Sequence, residues 1–368
     1  MKLVIIVGTR PEIIRLSETI KLSKKYFDLI LIHTGQNYDV NLNDIFFYDL
    51  EIIKPDFFLD CSKVNLGKQI GDIISKSYEL LLEIKPDAIL ILGDTNSCLC
   101  AYSAKRLKIP IFHLEAGNRS FDPNIPEEIN RKIIDHLSDI NICYTEQARD
   151  NLLKENIKPN YIYVVGSPMT ELYLNIKEKI YKSNVLKEFN LKKNDYFVLS
   201  LHREDNVDNE DNFKEIINSI NNLQKEYKKK IIFGVHPRTL NNIKKHNIIF
   251  NDDIIITKPF GIIDYYSLLQ NSLCVISDSG TISEEANILQ FKAILLRVST
   301  EHPEVIDAGG IILGNIKWKN LKETINFILN CTHTYNKIIN YNDDNFSEKV
   351  CKIIISHYDI VNKFIWMK

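Results

Sequence analysis

Short apolar runs rich in β-branched residues recur along the chain, and several lead directly or shortly into a glycine. They are Leu3 to Val7 before Gly8, Ala88 to Leu92 before Gly93, Ile162 to Val165 before Gly166, and Leu273 to Ile276 before Gly280. Runs without polar alternation predict strands covered on both faces. Between them apolar residues return at helical spacing, over Ile13 to Lys24, Lys68 to Leu82 and Asn96 to Leu107. Strand and helix therefore alternate, which is the doubly wound α/β pattern. The alternation runs twice, from Lys2 to about Val165 and from about Phe197 to Arg297. Glu171 to Asp195, rich in Lys, Asn and Glu, reads as a helix and connector near a boundary, and Phe346 to Ile365 reads as an amphipathic closing helix. The expected fold class is α/β, two Rossmann-like doubly wound domains over residues 1–168 and 169–345, closed by a helix over 346–368.

Composition narrows the function. The 368 residues are 45% apolar, enough for more than one core, and 46 Lys and Arg against 48 Asp and Glu give a net charge of -2. That balance offers no electrostatic case for nucleic acid or an anionic membrane as partner. No apolar run approaches the roughly 18 residues of a spanning helix, and the N-terminus reads as a first strand and not a signal peptide. Seven scattered cysteines without Cys-x-x-Cys spacing suggest neither a disulfide framework nor a zinc ribbon, and no His-Glu-x-x-His motif occurs. The expectation is a cytoplasmic protein with no metal and no cofactor.

In parallel sheets ligands collect beyond the carboxyl ends of strands, so the polar residues after each run are the first candidates. Gly8-Thr9-Arg10-Pro11-Glu12 combines a tight turn, a helix-starting proline and a cation for an anionic group, although an ordinary strand-to-helix turn reads the same way. Asp94, Glu115 and Glu127 lie at neighbouring strand ends or helix starts, Glu127 opening an apolar-periodic helix through Ile129, Ile133 and Leu137. Each acid alone suits a helix cap or first turn; together they supply an acid and a base with separable pKa values. The second series offers His202-Arg203-Glu204 and His236-Pro237-Arg238 at strand ends. Ser279-Gly280-Thr281 then opens a helix whose N–H groups can cradle a diphosphate, with Glu285 one turn on, suited to a ribose diol.

These segments, with Gly93-Asp94-Thr95, Glu115-Ala116-Gly117-Asn118-Arg119, Pro126-Glu127-Glu128-Ile129-Asn130-Arg131, Ser277-Asp278-Ser279-Gly280, Glu284-Glu285 and Thr300-Glu301-His302-Pro303-Glu304, resemble the non-hydrolysing UDP-N-acetylglucosamine 2-epimerase family. The resemblance implies a GT-B type fold with the nucleotide sugar in the cleft between its halves, a UDP-sugar substrate and a homodimer. It implies elimination of UDP across C1–C2 to a 2-acetamidoglycal and re-addition with C2 inverted. Asp94, Glu115, Glu127 and His202 are then the catalytic set, and Arg10, Arg15, His236, Arg238, Phe260, Ser279, Gly280, Thr281 and Glu285 the substrate and UDP-binding set. Asn118 and Thr281 stand where the glucosamine branch typically has Leu and Gly. They resemble the branch that converts UDP-2-acetamido-2,6-dideoxy-L-talose to UDP-N-acetyl-L-fucosamine for capsule or O-antigen assembly. The alternatives are a UDP-N-acetylglucosamine 2-epimerase proper, a GT-B glycosyltransferase and a non-catalytic nucleotide-sugar sensor. Arg15 replaces a usual Lys and His302 a usual Arg. Thr34-Gly35-Gln36-Asn37-Tyr38-Asp39 lacks the Gln-His-Arg-Glu-Met pattern tied to allosteric binding in relatives, so that allostery is not expected here.

Overall fold

The apolar runs become the strands of two separate parallel sheets in the structure, a computed structural model that describes residues 1–36, 47–62, 64–331 and 337–368. Asn37, Tyr38 and Asp39, part of the segment considered for allostery, lie outside the described residues. The first sheet comprises β1 (Lys2–Val7), β2 (Asp28–His33), β3 (Phe57–Phe58), β4 (Ala88–Leu92), β5 (Ile111–Leu114), β6 (Ile140–Cys143) and β7 (Ile162–Val164). Its order is β3-β2-β1-β4-β5-β6-β7. The second comprises β8 (Tyr196–Ser200), β9 (Lys230–Gly234), β10 (Ile254–Thr257), β11 (Cys274–Ser277), β12 (Ala293–Leu295) and β13 (Ile312–Leu313), in the order β10-β9-β8-β11-β12-β13.

Successive side chains of a strand point to opposite faces, and every residue of β4, β5 and β11 is buried, so both faces of each sheet are covered there. In each sheet the order reverses beside the first strand, between β1 and β4 and between β8 and β11. Loops leaving such a pair diverge to opposite sides and open a crevice at the carboxyl ends.

In the first half the principal helices are α1 (Arg10–Tyr26), α2 (Leu66–Ile84), α3 (Cys100–Arg106), α4 (Pro126–Leu137), α5 (Glu146–Lys154) and α6 (Pro168–Tyr181). In the second they are α7 (Glu210–Tyr227), α8 (Pro237–Lys245), α9 (Ile262–Asn271), α10 (Ile282–Leu289) and α11 (Trp318–Asn330). The last helix is α12 (Phe346–Phe364). None of the described helices is long and apolar enough to cross a membrane.

The chain divides into one unit of Met1–Leu174 with Ile339–Lys368, and a second of Asn175–Ile338. The boundaries expected at 168 and 345 therefore shift into α6 and ahead of α12, and the closing helix belongs to the first unit. Its polar contacts show why: Ser347 donates from its N–H at 2.8 Å and its hydroxyl at 2.7 Å to Glu171, and its Oγ lies 3.1 Å from Thr19 Oγ1 of α1. Phe346, Val350, Ile354 and Val361 of the same helix are buried.

The helix expected through Ile129, Ile133 and Leu137 is α4, but Ile129 and Ile133 are 58% and 43% exposed, whereas Glu128, Asn130, Arg131, Ile134 and Asp135 are buried. Apart from Ile134, which joins the apolar core, the inward face is polar because it packs on strand-end loops whose charged and backbone groups need partners.

Gly117 marks where those loops tolerate no side chain. Its φ is +82°, and a Cβ there would lie 2.2 Å from the Ala148 carbonyl oxygen. Gly117→Ala should destabilise the first unit by about 1–3 kcal/mol, the range for a forced left-handed residue or an overpacked site. A urea midpoint equal to that of the wild type would contradict this account.

Candidate active site

At the first switch point β1 delivers Gly8, Thr9 and Arg10, and β4 delivers Gly93, Asp94 and Thr95. Pairing of Leu92 with Leu114, and the bond from the Gly93 N–H to the Leu114 carbonyl at 3.0 Å, bring Glu115 to the next strand end. Asp94 is gripped through one carboxylate oxygen by Arg131, at 2.8 Å from Nε and 2.7 Å from a terminal nitrogen. Asn130 donates to the Asp94 carbonyl at 2.9 Å. Glu115 adopts a left-handed φ of +64° and pairs with Arg15, whose guanidinium also lies 5.9 Å from the Tyr144 ring centroid. Two acids thus sit at neighbouring strand ends, each with its own arginine, a far cheaper arrangement than two unpaired buried charges.

Glu127 and Glu128 divide the work of the first turn of α4. Glu127 is exposed, while buried Glu128 accepts from the Ser120 N–H and hydroxyl at 3.0 Å each, and pairs with Arg131 at 3.0 Å. Glu128 therefore holds the loop, its pKa lowered by these donors against the opposing effect of burial. Arg10 begins α1 and is half-buried.

Behind the acids lies a chain of buried charges. His113 Nε2 is 2.8 Å from the Gly93 carbonyl and Nδ1 is 2.9 Å from Asp135. Asp135 also meets Arg119 at 2.7 Å and the Gly117 N–H at 3.2 Å, and Arg119 forms a two-pronged pair with Glu155 at 2.8 and 2.6 Å. Burial opposes the positive form of His113, but Asp135 and the Gly93 carbonyl hold its pKa above the ordinary value. Nε2 faces the Gly93 carbonyl and Nδ1 the Asp135 carboxylate, surroundings that favour the protonated ring. The loops carrying Asp94 and Glu115 are thereby anchored to one electrostatic strut.

In the second unit Asp278, fully buried at the end of β11, accepts from the backbone N–H of His202 at 3.0 Å and of Arg203 at 3.1 Å, and from Asn206 at 3.2 Å. The His202 side chain remains 44% exposed. Ser279 Oγ and Thr281 Oγ1 lie 3.0 Å apart ahead of α10, and Arg297 donates to the Asp278 carbonyl at 2.7 Å and to Glu301 at 3.0 Å. A Cβ on Gly280 would meet Glu301 at 2.6 Å and Arg297 at 3.2 Å, so these two side chains back the turn. Glu285 is buried, with the Tyr266 hydroxyl at 3.5 Å.

The remaining candidates are built for local tasks. His236 caps α8 by accepting the Arg238 N–H at 3.4 Å, and Arg238 pairs with Asp208 at 3.0 Å on the surface. Phe260 packs edge-on against Phe189, centroids 5.7 Å apart, and covers Gly234. His302, in place of the family's arginine, is buried against Glu304 at 3.1 Å. Burial opposes its charge, yet Glu304 and then Glu284 hold it up to about 9, so it stays cationic at neutral pH. Sequence reasoning missed Arg131, Arg119, Asp135 and Arg297 as partners. Arg131 and Asp135 had a signal, their helical spacing from Glu127 and Glu128 on a face with few apolar residues; Arg297 had only its place after a strand. Among the described residues no group of three or more His, Cys, Asp or Glu could hold a metal ion.

The model of the UDP-N-acetylglucosamine 2-epimerase family matches residues 20–355. The UDP-N-acetylglucosamine 2-epimerase of Methanocaldococcus jannaschii is 41% identical over 90% of this chain and 93% of that one. UDP-2,3-diacetamido-2,3-dideoxy-D-glucuronate 2-epimerase of Pseudomonas aeruginosa is 34% identical over 85% and 88%. A solved UDP-N-acetylglucosamine 2-epimerase from Rickettsia bellii superposes with a TM-score of 0.92 at 42% identity, covering 100% of both chains. The M. jannaschii enzyme in complex with UDP-GlcNAc and UDP superposes at 0.91 with 38% identity, covering 97% of this chain and 100% of that one. With its two doubly wound domains of the GT-B type, the chain belongs to the UDP-N-acetylglucosamine 2-epimerase family and is an isomerase acting on a sugar nucleotide.

Proposed function

We propose that the protein interconverts UDP-N-acetylglucosamine and UDP-N-acetylmannosamine by eliminating UDP and adding it back. The observation that carries this reading is the pair Asp94 and Glu115, held at adjacent strand ends by separate arginines. The proton on C2 has no adjacent carbonyl to acidify it, so removing it alone would leave an unstabilised carbanion. When UDP departs from C1, the electrons of the C2–H bond form the C1–C2 double bond and the C1–O electrons leave on the diphosphate. Return of UDP with protonation on the opposite face of C2 inverts that centre. Such a cycle needs a base and an acid about C2 and a cationic cradle for the waiting diphosphate.

Asp94, Glu115 and Glu127 take the proton transfers and sugar hydroxyls in this scheme, and His202 the leaving phosphate or a proton. Arg10, Arg15 and the Ser279, Gly280 and Thr281 turn take the diphosphate, Glu285 the ribose, and His236, Arg238 and Phe260 the outer parts of the nucleotide. The solved relatives with bound UDP-GlcNAc or UDP support the substrate class.

A second substrate, UDP-2-acetamido-2,6-dideoxy-L-talose, is favoured by Asn118 and Thr281. The Asn118 side chain is buried on the loop that joins Glu115 to Arg119, where an amide in place of leucine changes what the loop can hydrogen-bond. The P. aeruginosa relative is named for a different 2-acetamido sugar nucleotide, which supports considering a substrate other than UDP-N-acetylglucosamine. The same reading makes the protein a homodimer, consistent with the exposed apolar residues Tyr102 on α3 and Ile129 and Ile133 on α4.

Incubation of either sugar nucleotide in D₂O, followed by NMR, should place deuterium at C2 of recovered material and yield the C2 epimer of whichever is the substrate. Epimer that retains its C2 proton would refute elimination. Asp94→Asn should cut turnover at saturating substrate by roughly 10²–10⁴-fold with UDP affinity retained, whereas Glu285→Ala should weaken UDP binding by about 1–3 kcal/mol. Equal loss of UDP affinity in both variants, measured by calorimetry, would overturn this division of labour. Light scattering of the purified protein should give twice the chain mass; a monomer at micromolar concentration would refute the dimer.

A further inference from the structure

Glu12 has no role in the scheme above, yet it is 2% exposed and lies at the first switch point. One carboxylate oxygen accepts the N–H groups of Gly8 at 2.5 Å and Thr9 at 3.0 Å; the other accepts the Thr95 hydroxyl at 2.5 Å. The first two bonds close a turn at the start of α1, as an acid three residues into a helix commonly does. The third reaches 83 residues along the chain to the neighbouring strand end. Gly8 and Thr9 immediately precede Arg10, and Thr95 immediately follows Asp94. Slack is absent on the other side of the turn, because a Cβ on Gly8 would lie 1.8 Å from Ser97 Oγ and 2.2 Å from Thr34 Oγ1.

We propose that Glu12 is a positioning residue that fastens the turn bearing Arg10 to the turn bearing Asp94, so that one buried side chain sets both groups for the reaction. The inference rests on the epimerase reading and concerns a residue that need not touch substrate. Two loops from strands that diverge at their ends have no backbone ladder to hold them together, and a misplacement of about 1 Å at a reacting group can cost 10²-fold in rate.

The clamp also titrates. Burial is the main reason the Glu12 carboxyl is raised to about 7, against the three donors, and the charge of Asp94 raises it further. The other titratable neighbours are the thiols of Cys98 and Cys100, themselves pushed up by burial and neutral at ordinary pH. A hydroxyl both donates and accepts, so the Thr95 bond survives in either form, with the protonated acid donating to Thr95. Glu12→Gln copies that protonated form: its amide oxygen takes the Gly8 and Thr9 N–H groups and its NH₂ donates to Thr95.

The test measures C2 exchange and turnover from pH 5.5 to 8.5, with UDP affinity by calorimetry and thermal melting for each variant. Thr95→Val, which keeps shape and removes one bond, should lower kcat on the order of 10- to 100-fold with UDP affinity and melting temperature near those of the wild type. Thr95→Ser should restore it. Glu12→Gln, the conservative variant that keeps all three bonds, should retain kcat far better than Thr95→Val across this pH range. Wild-type kcat in Thr95→Val, failure of Thr95→Ser to restore a loss, or a loss of kcat in Glu12→Gln as large as in Thr95→Val would each overturn the proposal while leaving the epimerase reading intact. Absence of C2 exchange in the wild-type protein would overturn both.

Discussion

A buried carboxylate at the switch point of each sheet is the constraint on which the candidate site depends. Parallel strands are tied along their length by backbone hydrogen bonds, but the ladder ends where the loops of β1 and β4, or of β8 and β11, turn to opposite sides. Backbone N–H groups left there must find acceptors or cost free energy. In the first unit Glu12 accepts them from Gly8 and Thr9 and reaches across to Thr95. In the second Asp278 accepts them from His202 and Arg203, reaching across from β11 to the end of β8. The same physical problem arises twice, and a buried acid on one of the two loops meets it each time.

Charge compensation then separates the acids into two classes. Asp135 and Glu128 are engaged on several sides by cations and N–H donors, and burial does not prevent their pKa values from falling below the ordinary range. They hold loops. Asp94 and Glu115 each pair with an arginine and keep some exposure, 18% and 11% of the side chain. His113 links the two classes, standing between the carbonyl of Gly93 and Asp135. Removing one member of such a buried set leaves an uncompensated charge, so its parts are not separable in energy.

Helix α4 shows how this site inverts an ordinary rule. A surface helix usually turns its apolar stripe inward. Here Asn130, Arg131 and Asp135 face in beside Ile134, and Ile129 and Ile133 face out, because much of what lies beneath the helix is the Asp94 turn and the Glu115 loop, the apolar core meeting it only at Ile134 and Leu137. The interior demand is for donors and charges, and the helix meets it at a cost in apolar burial.

The alternation of strands and helices, the two series and the positions of several central strands were legible in the sequence. A strand buried on both faces has no choice but to be a continuous apolar run, and β1, β4, β8 and β11 are such runs. The positions of Asp94, Glu115, His202 and Ser279 were legible for the same reason, since each lies within two residues of the end of a strand, where the apolar run gives way. Which acid answers to which cation was decided only by tertiary structure. Arg15 and Glu115 are 100 residues apart, and Arg131 and Asp94 are 37 apart. Those pairs form because β5 lies beside β4 and because α4 packs with its polar face down, and neither fact is written in local periodicity. The closing helix gives the same lesson: its amphipathic pattern foretold a helix at Phe346, but only the contacts of Ser347 with Glu171 and Thr19 assign it to the first unit.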